Sequence, residues 1–328
     1  MDFVNSLYPL HHVLLFLCSS AFMIWRLGAM EHHGFHGTVL GTLIMPYCSG
    51  FSNLSFAFVL GCYGGEGKIV LENCIVNNVT NLSLLLGLPA IFWSLSLQSD
   101  SSIKKQSKKT IQQYRLTFLS LIFTLIALFF FTGILWALAK DGEINFGDGV
   151  TLVAIFVFWQ LIHVFEVLKT NLQENRTLSP QIVVELILIG ASAYGMYVSI
   201  DHLVAWVGDN KSGLFVFKHL GWLSGFLMVL PNGLLSMYYG WRGRPDIVYS
   251  SQLGDGHICI PMCIGLFALF KPIHIPSFFY FGIILIFLTG LVHFFFLVFF
   301  KRLPKLIGFL LITSYVSFIY QSFLADSI

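Results

Sequence analysis

Residues 116–139 read "LTFLSLIFTLIALFFFTGILWALA", 24 consecutive residues with no charge and no proline. Such a stretch is suited to an α-helix through a bilayer. A hydrocarbon core about 30 Å thick asks for roughly 20 apolar residues and offers no water to unpaired backbone groups. Runs of this character recur along all 328 residues, of which 56% are hydrophobic and 10% charged. Soluble domains carry about 25% charged residues. The runs also lack the period-2 alternation of a membrane β-barrel. The predicted fold class is therefore an all-α polytopic membrane protein embedded in a lipid bilayer.

About ten transmembrane helices are predicted, at roughly 8–28, 37–62, 70–97, 115–139, 148–169, 180–205, 213–240, 247–271, 276–300 and 305–324. Lys104, Lys105, Lys108, Lys109 and Arg115 then share a side with Arg26, Lys169, Arg176, Arg242, Arg244, Lys301, Arg302 and Lys305. That side holds 13 of the 18 Lys and Arg residues. The positive-inside rule makes these basic loops cytoplasmic and both termini non-cytoplasmic. Met1–Arg26 has no basic start and no small-residue cleavage site, so it reads as a retained first helix.

A net charge of +2 with no basic stripe gives no reason to expect nucleic acid as a partner. The six cysteines lie in or beside apolar segments, unlike a secreted disulfide framework; only a pairing of Cys62 with Cys74 across one loop stays open. No nucleotide-binding motif is present, which argues against a pump driven by ATP within this chain. Oligomeric state leaves no signature in the sequence.

Ten spans divided at a short linker give two halves of five, and odd-numbered halves joined on one side must be inverted relative to each other. The predicted organisation is a first inverted repeat at 1–169, a cytoplasmic linker at 170–179 and a second repeat at 180–328. Transporters built this way bind substrate at the midplane, where the halves meet. One region of each half resembles the other, 41–88 and 226–268. Setting Asn53 on Asn232 puts Gly61 on Gly240; one deleted loop residue then puts Asn77 on Asp255, Asn78 on Gly256, Asn81 on Cys259 and Gly87 on Gly265.

The shared grammar is a helix broken by small and polar residues, a tight loop and a second broken helix. "MPYCSGFSN" and "LPNG" supply Pro46, Ser49, Gly50, Ser52 and Asn53 in one half and Pro231, Asn232 and Gly233 in the other. Broken helices free carbonyl oxygens, tolerated in a membrane only inside protein or around a wet cavity. Carbonyls, amide oxygens, hydroxyls and one carboxylate are the hard ligands that Na⁺ and Ca²⁺ prefer. An acid at a helix centre costs around 2.5–3.5 kcal/mol in membrane insertion, which makes Asp255 the expected acid of a midplane cation site. His257, two residues on, titrates near neutral pH and with Asp255 would suit proton coupling. Lone Asn residues often serve only as glue between membrane helices.

These two regions resemble the α-repeats of the calcium/cation antiporter superfamily, which includes sodium/calcium and calcium/proton exchangers. The family pattern in each repeat is close to G-x-T-x-x-A-x-G-T-S-x-P-E, followed by G-S-N-x-x-N on the next helix. "GTLIMPYCSGFSN" keeps Gly41, Ser49 and Gly50 of the first; "VNNVTN" keeps Asn78 and Asn81 of the second, with Asn77 in the place of the small hydroxyl. In "LGDGHIC" Asp255 takes that same place. The resemblance implies an alternating-access antiporter exchanging Ca²⁺ or a related cation for Na⁺ or H⁺. Its cation-binding residues would be Asn53, Asn77, Asn78, Asn81, Asn232 and Asp255, with Ser49 and Ser52 as weaker metal ligands. The transported cation would be substrate, with no cofactor and no enzymatic activity.

Asn53 and Asn232 stand where the family has glutamates, and Gly256 and Cys259 where the second repeat usually has polar ligands. A close charge pair is worth some 4 kcal/mol at an effective dielectric of about 20, so two lost carboxylates weaken divalent binding. Two alternatives follow: a proton-coupled exchanger of a monovalent cation or Mg²⁺, and a non-transporting sensor or scaffold with an inherited fold. An intramembrane enzyme built on histidines and Asp255 would not need two related half-motifs. Other acids and histidines that could add to a site are Glu72, His163 with Glu166, Glu185, and Asp201 with His202. The cluster Glu31, His32, His33 and His36 reads as a loop, with a metal or proton sensor as its alternative.

Overall fold

The structure is a computed structural model that describes residues 2–32, 45–97, 108–174, 181–209 and 219–325. Within them ten helices follow one another: α1 Asp2–His32, α2 Met45–Cys62, α3 Gly67–Trp93, α4 Lys108–Leu138, α5 Phe146–Glu174, α6 Gln181–Asp209, α7 Leu220–Trp241, α8 over 245–268, α9 Phe278–Phe300 and α10 Lys305–Ala325. Six of them are long and apolar enough to cross a membrane. Two others carry shorter apolar stretches, Gly50–Cys62 in α2 and Phe146–Ile162 in α5.

Burial runs opposite to that of a water-soluble globule. Phe130, Phe158, Ile187, Phe299 and Leu306 are exposed on the outside of the bundle, while Asn53, Asn77, Asn81 and Asp255 are all 0–1% exposed within it. A surface of large apolar side chains around a polar centre is stable only in lipid, where the outer face needs no water and the inner polar groups find one another.

Three features relate the two halves. First, α3 and α8 each contain a π-turn, Thr80–Leu85 and Ile258–Cys263. A shift of 178 residues carries both ends of the first onto the second (80 to 258, 85 to 263) and also carries Asn77 onto Asp255. Second, strand β1 (Glu143–Ile144), between α4 and α5, pairs antiparallel with β2 (Ile273–His274), between α8 and α9. At the other ends of α4 and α9, Ser96 bridges Arg302, joining the α3–α4 connection to the α9–α10 connection. Exchanging the two halves turns one of these ties into the other. Third, α3 meets α10 through Gly87 and Gly308, and α8 meets α5 through Gly265 and Gly149. A Cβ on Gly308 would lie 2.8 Å from the Gly87 carbonyl oxygen, and one on Gly149 would lie 2.9 Å from that of Gly265.

Of the breaks expected in both helices of each repeat, those in α3 and α8 are seen and those in α2 and α7 are not. Helix α7 runs unbroken from Leu220 to Trp241 through Pro231, and Pro46 sits in the first turn of α2, where no backbone N–H is required. The irregular backbone is in the partner helices α3 and α8, as π-turns. The pairing of Cys62 with Cys74 that the sequence left open is not formed: both are free thiols, Cys62 exposed at the end of α2 and Cys74 buried in α3. The cysteine facing points α3 at α8, where the Cys74 thiol meets those of Cys259 and Cys263.

Gly149→Leu is expected to lower stability by on the order of 1–3 kcal/mol, the usual cost of overpacking, read as a lower thermal unfolding midpoint in detergent. Gly133→Leu, on α4 with open space where its Cβ would go, should leave the midpoint nearly unchanged.

Candidate cation-binding site

Asp255, on α8, has no exposed surface. Its Oδ2 accepts N–H bonds from Asn81 Nδ2 at 2.7 Å and Asn232 Nδ2 at 3.1 Å. Asn81 Nδ2 also donates to Asn77 Oδ1 at 2.8 Å. The carboxylate thus ties α3, α7 and α8 together. A buried carboxylate is costly unless hydrogen-bonded, and bonds to a charged acceptor are worth about 1.5–3 kcal/mol each.

The π-turn of α3 sets Asn81 in place and is itself held from outside. His293 of α9 donates from Nε2 to the Leu82 carbonyl at 2.7 Å, and the Ser236 hydroxyl of α7 donates to the Leu85 carbonyl at 2.5 Å. A π-turn disturbs the regular ladder of backbone bonds, and such turns recur at functional sites. At the counterpart contact on the second π-turn, Ala57 and Cys263 take the places of Ser236 and Leu85, so that hydroxyl clamp belongs to the first π-turn.

Around this centre, buried amide oxygens lack hydrogen-bond donors. They are Oδ1 of Asn81 and Asn232 and Oε1 of Gln252; on α2, Asn53 is buried with Oδ1 and Nδ2 both unsatisfied. Each such group costs about 1–3 kcal/mol, and native proteins contain few. Oxygens of this kind on three helices around a carboxylate suit a hard cation. Among the described residues no group of three or more His, Cys, Asp or Glu is arranged to hold a metal ion. The donor set is one carboxylate and several amides, which suits a cation that binds and leaves.

The remaining predicted residues separate into two groups. Asn78 bonds back to the Cys74 carbonyl at 2.7 Å, and its Oδ1 lies where a Cβ on Gly256 would come within 2.5 Å. It packs α3 on α8, and glycine at 256 makes the room. Ser52 is buried beside Asn53. His257 faces away from the carboxylate, because two residues turn an α-helix by about 200°. Its Nε2 lies 2.8 Å from the Thr124 carbonyl of α4, and its ring stands edge-on to Phe131 and Trp159.

The other acids are engaged away from the site. Glu72 pairs with Lys68 at 3.5 Å and Glu185 with Arg26 at 3.2 Å. Asp201 accepts the phenol of Tyr63, in the α2–α3 connection, which raises that phenol's pKa; His202 stacks on His12. The side chains of Ser49, His163, Glu166 and the Glu31–His36 cluster lie outside the described residues, as does part of the 170–179 linker.

Several polar residues escaped sequence reasoning. Asn73 donates to Ser224 of α7 at 3.0 Å. With Asn77 and Asn81 it forms a stripe at i, i+4 and i+8, a legible signal of one polar helix face. Gln252 precedes Asp255 by three residues, and its Nε2 reaches Ser251 Oγ at 3.0 Å and the Asn232 carbonyl at 3.4 Å. Nothing in the sequence near His293 marks its contact with α3.

Residues 9–165 match the family described as "Sodium/calcium exchanger protein". No curated protein sequence matches the chain. Among solved structures, the sodium-calcium exchanger NCX_Mj soaked with 2.5 mM Na⁺ and 10 mM Sr²⁺ is similar, with a TM-score of 0.65 and 19% identity over 98% of this chain and 99% of that one. The same exchanger soaked with 10 mM Na⁺ and zero Ca²⁺ gives a TM-score of 0.65 at 17% identity, with the same coverage. At such identities the likeness is one of fold.

A double-mutant cycle tests the central bond. Asn81→Ala alone should destabilise by about 1.5–3 kcal/mol, the worth of a hydrogen bond to a charged group. In an Asp255→Asn background it should cost less, because the charge it serves is gone. Denaturant unfolding in micelles reads both, and equal costs in the two backgrounds would contradict the assignment.

Proposed function

We propose that this chain, whose residues 9–165 match the sodium/calcium exchanger family and whose fold is that of a sodium-calcium exchanger, carries cations across a membrane by alternating access at the Asp255 site. The observation that carries this reading is the single buried carboxylate among amide oxygens that lack donors. In this reading Asn81 and Asn232 hold the carboxylate through their N–H groups when the site is empty. When a cation arrives, the amide oxygens of Asn53, Asn77, Asn81 and Asn232 join the carboxylate as ligands. An amide suits both states because it carries donors and an acceptor on one small group. The basic loops lie in the cytoplasm, and both termini lie on the opposite side.

Charge arithmetic favours a monovalent cation exchanged for a proton. Helices α2 and α7 contain no Asp, Glu, Lys or Arg. Lys68 and Glu72 lie in the first turns of α3, and Asp246 lies in the first turn of α8. Asp255 therefore brings one negative charge to the centre. A bound proton or a monovalent cation neutralises it, whereas a divalent ion leaves a net charge to be carried through a low-dielectric interior. A second reading, Ca²⁺ against Na⁺, is favoured by the family match of residues 9–165.

Flux into liposomes carrying the purified protein separates the readings. Monovalent cation uptake driven by an outward proton gradient, indifferent to imposed voltage, is the expected result. Asp255→Asn should reduce it at least tenfold, while His257→Gln should leave its pH dependence in place. Voltage-sensitive Ca²⁺ uptake against Na⁺ would establish the second reading. Flux unchanged in Asp255→Asn would remove the site, and no flux of any cation by folded protein would favour the sensor or scaffold.

A further inference from the structure

A cleft of about 630 Å³ separates α1 from α7. It runs from Leu17 and Pro231, near the middle of the two helices, to Ala29 and Arg242 at their ends, with Leu17, Ala21, Ile24, Leu234 and Leu235 among its walls. It opens sideways between exposed apolar groups: Trp25 is 62% exposed and Leu234 67%. The volume is that of an ordinary small-molecule site, and small Ala21 and Ala29 leave the room. No carboxylate lines it.

The mouth is basic. Arg244 forks onto Asp246 at 3.1 and 3.2 Å, so its charge is compensated. Arg242 donates from Nε and Nη2 to the Tyr238 hydroxyl at 3.3 and 3.2 Å, and its guanidinium stacks on the rings of Tyr238 and Trp241. Two of its five N–H groups are thereby used, which holds the fork in place and leaves three for a further acceptor.

We infer that this cleft holds an acyl chain of an anionic phospholipid whose phosphate sits on Arg242. Apolar walls open to the bilayer take the chain, and a pre-oriented guanidinium at the level of the basic loops takes the phosphate. Basic pockets between transmembrane helices are suited to such headgroups. A cation vestibule would need the opposite electrostatics, since an arginine at the mouth repels what the vestibule is meant to collect. The inference does not rest on the proposed transport activity, because it concerns a different ligand held by other side chains of α1 and α7.

Native mass spectrometry of the purified full chain tests it, using phosphatidylglycerol and phosphatidylcholine with identical acyl chains. Phosphatidylglycerol should bind at least tenfold more tightly than phosphatidylcholine. Arg242→Gln should abolish that preference, and Ala21→Trp, which fills the cleft, should remove both adducts. Arg302→Gln, an exposed arginine on the same basic side, should change neither, and glycerol 3-phosphate should not compete. Circular dichroism and gel-filtration elution establish that each variant is folded, and Arg242→Gln alone decides if Ala21→Trp is not. Undiminished preference in Arg242→Gln overturns the inference. So does an equal loss in Arg302→Gln, which would mean general surface charge. A rise in cation flux in Arg242→Gln with lipid adducts unchanged would identify a vestibule instead.

Discussion

A carboxylate buried between helices has to be satisfied by groups that cannot easily leave, and Asp255 is satisfied by side chains of two other helices. Asn81 reaches it from α3 and Asn232 from α7. Both donors depend in turn on backbone arrangements. Asn81 sits in a π-turn clamped by His293 and Ser236, and Asn232 follows a proline within an unbroken helix. Removing the charge would relax the need for each of these. The apolar exterior, the glycine contacts and the two small ties between connections can be read as the frame that keeps three helices within reach of one acid.

The two repeats share a backbone plan and differ in chemistry. Their π-turns match in register, yet the first carries Asn81 and the second Cys259 at the corresponding place. The first repeat supplies amides from α2 and α3; the second supplies an amide from α7 and the acid from α8. Thiols of Cys74, Cys259 and Cys263 gather where a symmetric site would have placed more amide or hydroxyl oxygen. The pseudo-twofold relation thus governs how the helices pack, while the polar groups at its centre are one-sided.

Much of this was legible before the structure. The apolar runs marked the helices, and the alignment of Asn77 with Asp255 set the repeat register. The polar pattern singled out four residues that the structure brings together: Asn77, Asn81, Asn232 and Asp255. The irregular backbone was legible in part: the second helix of each repeat was read as broken and is, whereas the first was read as broken and is not. Pro and Gly in α2 and α7 suggested breaks there, but an initial-turn proline needs no donor and α7 continues through Pro231. The π-turn of α3 has no comparable local signal, since Thr80–Leu85 contains neither residue, whereas that of α8 holds Pro261. Closeness along the chain says nothing about which way a helical residue faces, and His257, two residues from Asp255, packs on α4 at the Thr124 carbonyl. Gln252 and Asn73 were readable from helical periodicity, whereas the contact of His293 depends wholly on tertiary packing.

A π-turn adds one residue to a helical turn, and the extra residue rotates everything beyond it by about 100°. In α3 the segment before the turn presents Asn73 to α7, and the segment after it presents Gly87 to α10. One helix thereby serves two neighbours that a regular helix of the same sequence length would meet out of phase. The repeats differ by one residue between their first and second polar positions, 24 from Asn53 to Asn77 and 23 from Asn232 to Asp255. That difference falls in the connection before the helix, while the spacing from Asn77 or Asp255 through the turn to Gly87 or Gly265 is conserved between the halves. Chain length in this architecture is free to drift only where the chain leaves the bilayer. Within the turn, the gain or loss of a single residue would disengage one set of neighbours from the other.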